Sequence, residues 1–135
     1  MASVFSKIIN GEIPAYKVAE DEYFLAFLDI SPLSKGHTLV IPKKEVDYIF
    51  DLDDTLYPGL FAFAKKVAKA VKASVKCERI GVAVIGLEVP HAHVHLVPIN
   101  HVGDINFSAP RVQLSKDDFQ EVADKIKKNF KKYSK

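Results

Sequence analysis

Three of the chain's five histidines lie within five residues, His91, His93 and His95, separated by Ala92 and Val94. On an extended strand successive side chains point to opposite faces. The three imidazoles then share one face at spacings of roughly 6.5–7 Å. Ala92, Val94 and Leu96 share the other face, which is wholly apolar. A helix would scatter the rings over about 200° of arc, so the pattern works as a strand or not at all. The plainest reading is a half-exposed strand with a polar face, but Thr or Lys would satisfy alternation equally well. Two chemistries call for imidazole in particular. One is a metal site, because neutral imidazole ligates zinc, iron and copper and three histidines can leave one position open. The other is nucleophilic and acid–base catalysis. An ordinary histidine is roughly three-quarters neutral at pH 7, so a neutral ring can attack phosphorus while a protonated neighbour stabilises charge or donates a proton.

The elements that must carry these residues follow from periodicity and punctuation. Strands are expected at Ala15–Ala19, Tyr23–Leu28, His37–Ile41, Arg79–Ile85 and His91–Val97, bounded by residues such as Gly36, Pro42, Gly86, Pro90 and Pro98. A helix is expected from about Asp54 to Lys76, capped by Asp53 or Asp54, with Pro58 near its start where proline is tolerated. A second is expected over residues 116–135, capped by Ser115, with Asp117 and Asp118 in its first turn and an apolar stripe of Phe119, Val122, Ile126, Phe130 and Tyr133. Long helices do not alternate with every strand. The expected class is therefore α+β, an antiparallel sheet of about five strands with two main helices on one face. Residues 1–135 read as one domain, in which 100–135 form an irregular loop followed by an amphipathic-helix extension.

Composition narrows the rest. The chain has 135 residues, 48% of them hydrophobic and 27% charged, which excludes a disordered or fibrous protein. Its single cysteine, Cys77, excludes an intramolecular disulfide and a cysteine-based zinc knuckle. No apolar run approaches the roughly 20 residues of a membrane span, and Met1–Gly11 has no signal-peptide pattern, so no membrane association and a cytoplasmic location are expected. The net charge of +2 is too small to argue for nucleic acid as a partner. It is also confined to the tail helix, a solvated basic face.

The window His91-Ala92-His93-Val94-His95-Leu96-Val97 resembles the signature of the histidine triad family, and three further blocks match in order: Val4–Ala15, Phe27–Pro32 and Gly36–Lys43. The likeness spans about residues 3–98 and is nearest to the small purine-nucleoside phosphoramidase-like branch. It implies a hydrolase or transferase acting at the α-phosphate of a nucleoside monophosphate conjugate. In that scheme His93 attacks phosphorus and forms a nucleotidyl-histidine that water then hydrolyses. His95 supplies a hydrogen bond or positive charge to the phosphoryl oxygens. The backbone carbonyl of His91 fixes the ring and tautomer of His93. His37 matches a further active-site-adjacent histidine, although a packed polar side chain would satisfy its strand position too. Asp29 matches a carboxylate that meets the ribose hydroxyls, at a distance from the triad because an anion beside phosphate is unfavourable. Its structural alternative is to cap the Ile30-Ser31-Pro32 bend. Phe5, Ile8 and Ile30 match positions lining the nucleoside pocket, and Glu88 and Val89, in the segment leading to the triad, complete the expected substrate-binding residues.

The same resemblance implies a purine nucleotide substrate, a homodimer and no cofactor. Relatives that bind zinc do so through N-terminal cysteines, where this chain has Ser3 and Ser6, so no metal is expected. Two departures bear on rate and leaving group. Leu87 stands where many relatives have a phosphate-reaching glutamine, and Ile80–Ile85 contains no asparagine. Dinucleoside polyphosphate hydrolysis, or nucleotide binding with little turnover, therefore stand as alternatives.

Overall fold

The computed structural model describes residues 2–133. Five strands form one antiparallel sheet: β1 (Lys17–Glu20), β2 (Phe24–Leu28), β3 (Thr38–Pro42), β4 (Arg79–Ala83) and β5 (Val94–Ile99), in the order β1-β2-β3-β5-β4. Three α-helices accompany it: α1 (Val4–Ile9), α2 (Leu56–Ser74) and α3 (Lys116–Tyr133). The expected α+β architecture and its two main helices are present. The short α1 is additional. Six residues carry too little periodicity to announce a helix, but its start is marked, because the Ser3 hydroxyl accepts the Ser6 N–H at 3.0 Å. Gly11, at φ +80°, turns the chain out of it.

The central strands β2, β3 and β5 are buried on both faces, and strand alternation sorts their residues between them. Phe24, Ala26, Leu28, Val40, Val94 and Leu96 join the core under α2 and α3. Leu25, Phe27, Leu39 and Ile41 join a smaller cluster on the other face, closed by Phe5 and Ile8 of α1. The histidines belong to this second face. His95 pairs with Leu39 on β3 and with Ala83 on β4.

The expected boundaries shift for identifiable reasons. The triad strand starts at Val94 rather than His91, because the Ala92 N–H is spent on Val46 O at 2.7 Å and His91 N–H on Val89 O at 2.8 Å. The chain bends at His91 and makes no ladder pairing through His93, so only His95 of the three is a strand residue. At the other end β5 runs through Pro98 to Ile99. The missing proline N–H costs nothing there, because pairing with β3 has ended at Leu96.

Helix α2 begins at Leu56, with Asp53 Oδ1 accepting the N–H groups of Thr55 and Leu56 at 3.0 and 2.7 Å. Helix α3 begins as expected after Ser115, whose hydroxyl accepts the Asp118 N–H at 3.1 Å. Phe119, Val122, Ala123 and Ile126 of α3 are core residues, so this segment is an integral layer and not an appendage. The last two residues of the expected tail helix, Ser134 and Lys135, lie outside the described residues.

Candidate active site

A cavity of about 510 Å³ opens on the second face, within the size range of small-molecule sites. Phe5 and Ile8 from α1, Phe27 from β2 and Leu39 from β3 give it apolar walls, with Val89 beside them. Asp29, Ile30, Glu88, His93 and His95 supply the remaining expected residues, and Arg111 joins them. Ile30 sits at the rim, 73% exposed. His37 and His91 do not line the cavity; both are fully buried behind it.

Backbone partners fix the tautomers. His93 Nδ1 lies 2.7 Å from His91 O, and a carbonyl only accepts, so Nδ1 carries the proton. The lone pair of His93 is then on Nε2. That nitrogen has no hydrogen bond within the protein, and no buried side-chain nitrogen or oxygen among the described residues lacks a partner, so Nε2 is open to the cavity. His37 Nδ1 accepts the Leu33 N–H at 3.0 Å, which puts the His37 proton on Nε2. Nε2 donates to His95 Nδ1 at 3.0 Å, and His95 must hold its own proton on Nε2, facing outward. The arrangement thus presents a nucleophilic nitrogen on His93 and a donor on His95, with ring centroids 4.9 Å apart.

His91 is committed on both edges. Its Nε2 donates to Pro42 O at 2.8 Å and its Nδ1 accepts from the Ser3 hydroxyl at 2.9 Å. Ser3 is itself anchored by its N–H on Glu45 Oε1 at 2.6 Å, and the Ser6 hydroxyl donates to the same oxygen at 2.6 Å. These bonds lower the Glu45 carboxyl to about 2. The ring of His91 is therefore a strut, and only its carbonyl acts on His93.

Burial sets the charges. It pushes His37 down to about 3, helped by the neighbouring His95 and Arg111. It pushes His95 down to about 4, helped by His93 and Arg111. Burial also lowers His91. At neutral pH His95 is thus a neutral hydrogen-bond donor, which leaves the hydrogen bond, of the two contributions expected of it, in the free protein. Burial raises the Asp29 carboxyl, against the opposing pull of the Ser31 N–H and Arg111.

Asp29 combines its two readings. Oδ1 accepts the Ser31 N–H at 2.8 Å and caps the bend, while Oδ2 lies 3.7 Å from His37 Nε2. It therefore stands beside the histidine chain, closer than the expected separation of sugar-binding carboxylate from triad.

Two residues of the 100–115 loop were not legible as site residues. The Phe107 ring packs against His95 at 4.7 Å between centroids. Arg111 donates to Ser31 O at 2.8 Å and Phe107 O at 3.3 Å, bringing a cation into the cavity wall. The available signal was compositional, since the chain uses two arginines among its nineteen basic residues and one sits in this loop.

Among the described residues, Asp29, His37 and His95 form a cluster whose ligand atoms all lie within 4.8 Å of one another, close enough to share a metal ion. Their two ring nitrogens, however, are hydrogen-bonded to each other. At the N-terminus Ser3 and Ser6 offer neutral hydroxyls already engaged with His91 and Glu45, a donor set that does not fit zinc, which favours thiolate and imidazole.

The fold and this histidine arrangement define a histidine triad protein. The HIT domain model matches residues 10–102, and the chain belongs to that family. It is 36% identical over 135 residues to an uncharacterised HIT-like protein of Borreliella burgdorferi, covering 94% of this chain and 97% of the relative. It is 32% identical over 133 residues to an adenosine 5'-monophosphoramidase of Schizosaccharomyces pombe, covering 97% and 100%. Among solved structures, a zinc-bound histidine triad family protein from Mycobacterium smegmatis superposes with a TM-score of 0.84 at 28% identity, over 99% of this chain and 96% of that one.

Proposed function

We propose that this protein is a nucleoside phosphoramidase, a hydrolase that releases an amine from the α-phosphate of a purine nucleoside monophosphate through a nucleotidyl-His93 intermediate. The observation that carries the reading is the 2.7 Å bond from His93 Nδ1 to His91 O, which leaves Nε2 as an open lone pair. The phosphoramidase relative from S. pombe supports the choice of substrate class.

In this mechanism the base lies between the apolar walls of the cavity and the ribose hydroxyls donate to Asp29. His93 Nε2 attacks phosphorus, the phosphorus–nitrogen bond to the amine breaks, and the electron pair leaves on the amine nitrogen, which takes a proton from solvent so that the neutral amine departs. His95 Nε2–H donates to a phosphoryl oxygen as charge develops there. Water then attacks phosphorus and returns His93 Nε2 as leaving group. The net reaction consumes one water: its hydroxyl ends on phosphorus and its proton balances the amine. Splitting the displacement in two lowers each barrier, and no step requires a cofactor.

The polar wall between Gly86 and Pro90 is thinner than the chemistry would use. Leu87 is 88% exposed and has no side-chain donor. Arg111 is the cation on the cavity wall that can offset phosphate charge in its place.

We further propose that two copies pair through β4. It is an edge strand of the sheet and carries Val82 with 56% exposure, a surface that symmetric pairing would cover. Sedimentation at micromolar concentration reports this directly, and a monomer would reject the pairing.

Intact-mass measurement after brief mixing with adenosine phosphoramidate tests the main proposal. A nucleotidyl adduct is expected on the wild-type protein and absent from His93→Ala. Near-wild-type turnover by His93→Ala would overturn the covalent role.

A further inference from the structure

Phe107 touches both groups that the proposed mechanism aims at phosphate. Its ring stands 4.7 Å from the His95 ring between centroids, tilted 65° to it. The guanidinium carbon of Arg111 lies 5.6 Å from the centre of the same Phe107 ring, within cation–π range. Arg111 Nη2 also donates to the Phe107 carbonyl at 3.3 Å. Phe107 itself does not line the cavity. It therefore contacts the donor and the cation of the site from outside the space that substrate would fill.

The loop around Phe107 is held on both sides. Ile105 settles onto Gly81 of β4, where a Cβ would clash with Ile105 Cδ1, so glycine is what lets the loop down onto the strand. Beyond Phe107, the Val112 N–H donates to Pro32 O at 2.9 Å and Arg111 Nη1 to Ser31 O at 2.8 Å. Between these anchors lies a tight turn. Asn106 Oδ1 accepts the Ser108 N–H at 3.0 Å, and Asn106 O accepts the Ala109 N–H at 3.0 Å. Phe107 sits inside that turn. The segment 105–112 is thus a strap, fixed to β4 at one end and to the bend that Asp29 caps at the other.

His95 needs a second constraint. Its Nδ1 accepts from His37 at 3.0 Å, but a single hydrogen bond leaves a ring free to swing about it. The direction of the outward Nε2–H then depends on the rings packed against His95, which are His93, His37 and Phe107. Of these, Phe107 is the one that also holds Arg111. A shift of this one residue would move the donor and the cation together.

We propose that Phe107 is a positioning residue that fixes His95 and Arg111 relative to one another, so that donor and cation reach the same phosphoryl group. Its effect on turnover rests on the phosphoramidase reading, whereas its hold on the two side chains does not.

The test combines a double-mutant cycle on kcat with 15N spectra of the imidazoles, and thermal melts establish folding. Phe107→Ala is expected to lower kcat for adenosine phosphoramidate about ten- to a hundredfold, as misplacement of a reacting partner does, with KM nearly unchanged. Phe107→Leu keeps apolar bulk against His95 but offers Arg111 no ring face, and should lose less. Combined with Arg111→Lys, the Phe107→Ala loss should fall short of the product of the single losses by at least about threefold. Combined with Ser3→Ala, which reaches His93 through His91, the losses should multiply. Near neutral pH and without substrate, the wild-type spectrum should show His95 as a single Nε2–H tautomer and Phe107→Ala a mixture of both. A folded Phe107→Ala protein with wild-type kcat, a loss confined to KM, losses that multiply with Arg111→Lys, or one His95 tautomer in both proteins overturns the positioning role. Should Phe107→Ala fail to fold, Phe107→Leu carries the same comparisons. Absence of turnover and of a His93 adduct in the wild type overturns the phosphoramidase reading instead, and the spectra then decide the positioning role alone.

Discussion

His37 Nε2 stands 3.0 Å from His95 Nδ1, and the Leu33 N–H on the far edge of His37 decides which of the two rings donates. A backbone amide thereby sets the outward proton on His95, two side chains away. His37→Phe keeps an aromatic ring in the site and deletes the donor. Its expected effect is a fall in kcat of about ten- to a hundredfold, as for other groups that orient a catalytic partner, with KM nearly unchanged. His37→Gln, whose amide can donate, should recover part of the loss. Steady-state kinetics on the two variants, with thermal melts to establish folding, provide the check. A matching rise in KM would instead place His37 among substrate contacts.

Acid sensitivity follows from the same burial. His37 and His95 have folded values of about 3 and about 4, against an ordinary 6.5. Between those limits the unfolded chain binds more protons than the folded one, so stability is full above about pH 6.5 and is lost as pH falls towards 4 and 3. Each ring contributes up to about 1.4 kcal/mol per pH unit within its window. Asp29, raised by burial, works in the opposite sense just above the ordinary carboxylate range and softens the slope. Denaturant midpoints measured from pH 7.5 to 4.5 should hold down to about pH 6.5 and then fall, and a His37→Phe protein should show a shallower fall. A flat profile would contradict neutral buried rings.

The sequence made the triad legible because the alternation of sides survives even where the ladder is missing: Ala92, Val94 and Leu96 pack into one core, while His91 and His93 pack against Phe5 on the other side. The faces of β2 and β3 were legible for the same reason. What alternation does not contain is the partner of each ring edge. The Ser3 hydroxyl reaches His91 across 88 positions of chain, and Leu33 meets His37 through a bend. Burial of His95 depends on Phe107, from a loop with neither period nor motif, so its neutral state was out of reach. Arg111 is placed by two carbonyl contacts, on Ser31 and Phe107, that no spacing rule encodes.

Asp29 and Arg111 should separate recognition of sugar from recognition of phosphate. Asp29→Asn keeps an oxygen for the Ser31 N–H but removes the charge that the proposed mechanism offers to the ribose. Loss of a hydrogen bond to a charged acceptor predicts about ten- to a hundredfold lower kcat/KM for ribonucleotide conjugates, and little change for their 2′,3′-dideoxy counterparts. Arg111→Lys retains the charge but not the planar fork that spans two carbonyls. It should weaken ribo- and dideoxy-conjugates equally. The four-way comparison of kcat/KM is the measurement, and equal sensitivity of both sugars to Asp29→Asn would remove the ribose contact.

Ser3 offers the sharpest test of whether the N-terminal segment is part of the catalytic apparatus. Its hydroxyl is the donor to His91 Nδ1, its side chain caps α1, and its N–H rests on Glu45. Ser3→Ala leaves a buried ring nitrogen without a donor, at a cost of about 1–3 kcal/mol in unfolding free energy. His91 can then exchange tautomers or tilt, and the carbonyl that orients His93 moves with it. The expected kinetic result is slower formation of the nucleotidyl adduct in single turnover, with hydrolysis of the preformed adduct less affected because His93 is by then held through phosphorus. Glu45→Ala, which removes the anchor but not the hydroxyl, should reproduce the effect in weaker form. Since Glu45 is exposed, its variant should fold, and adduct formation at the wild-type rate in both proteins would show that the His91 carbonyl needs no support from α1.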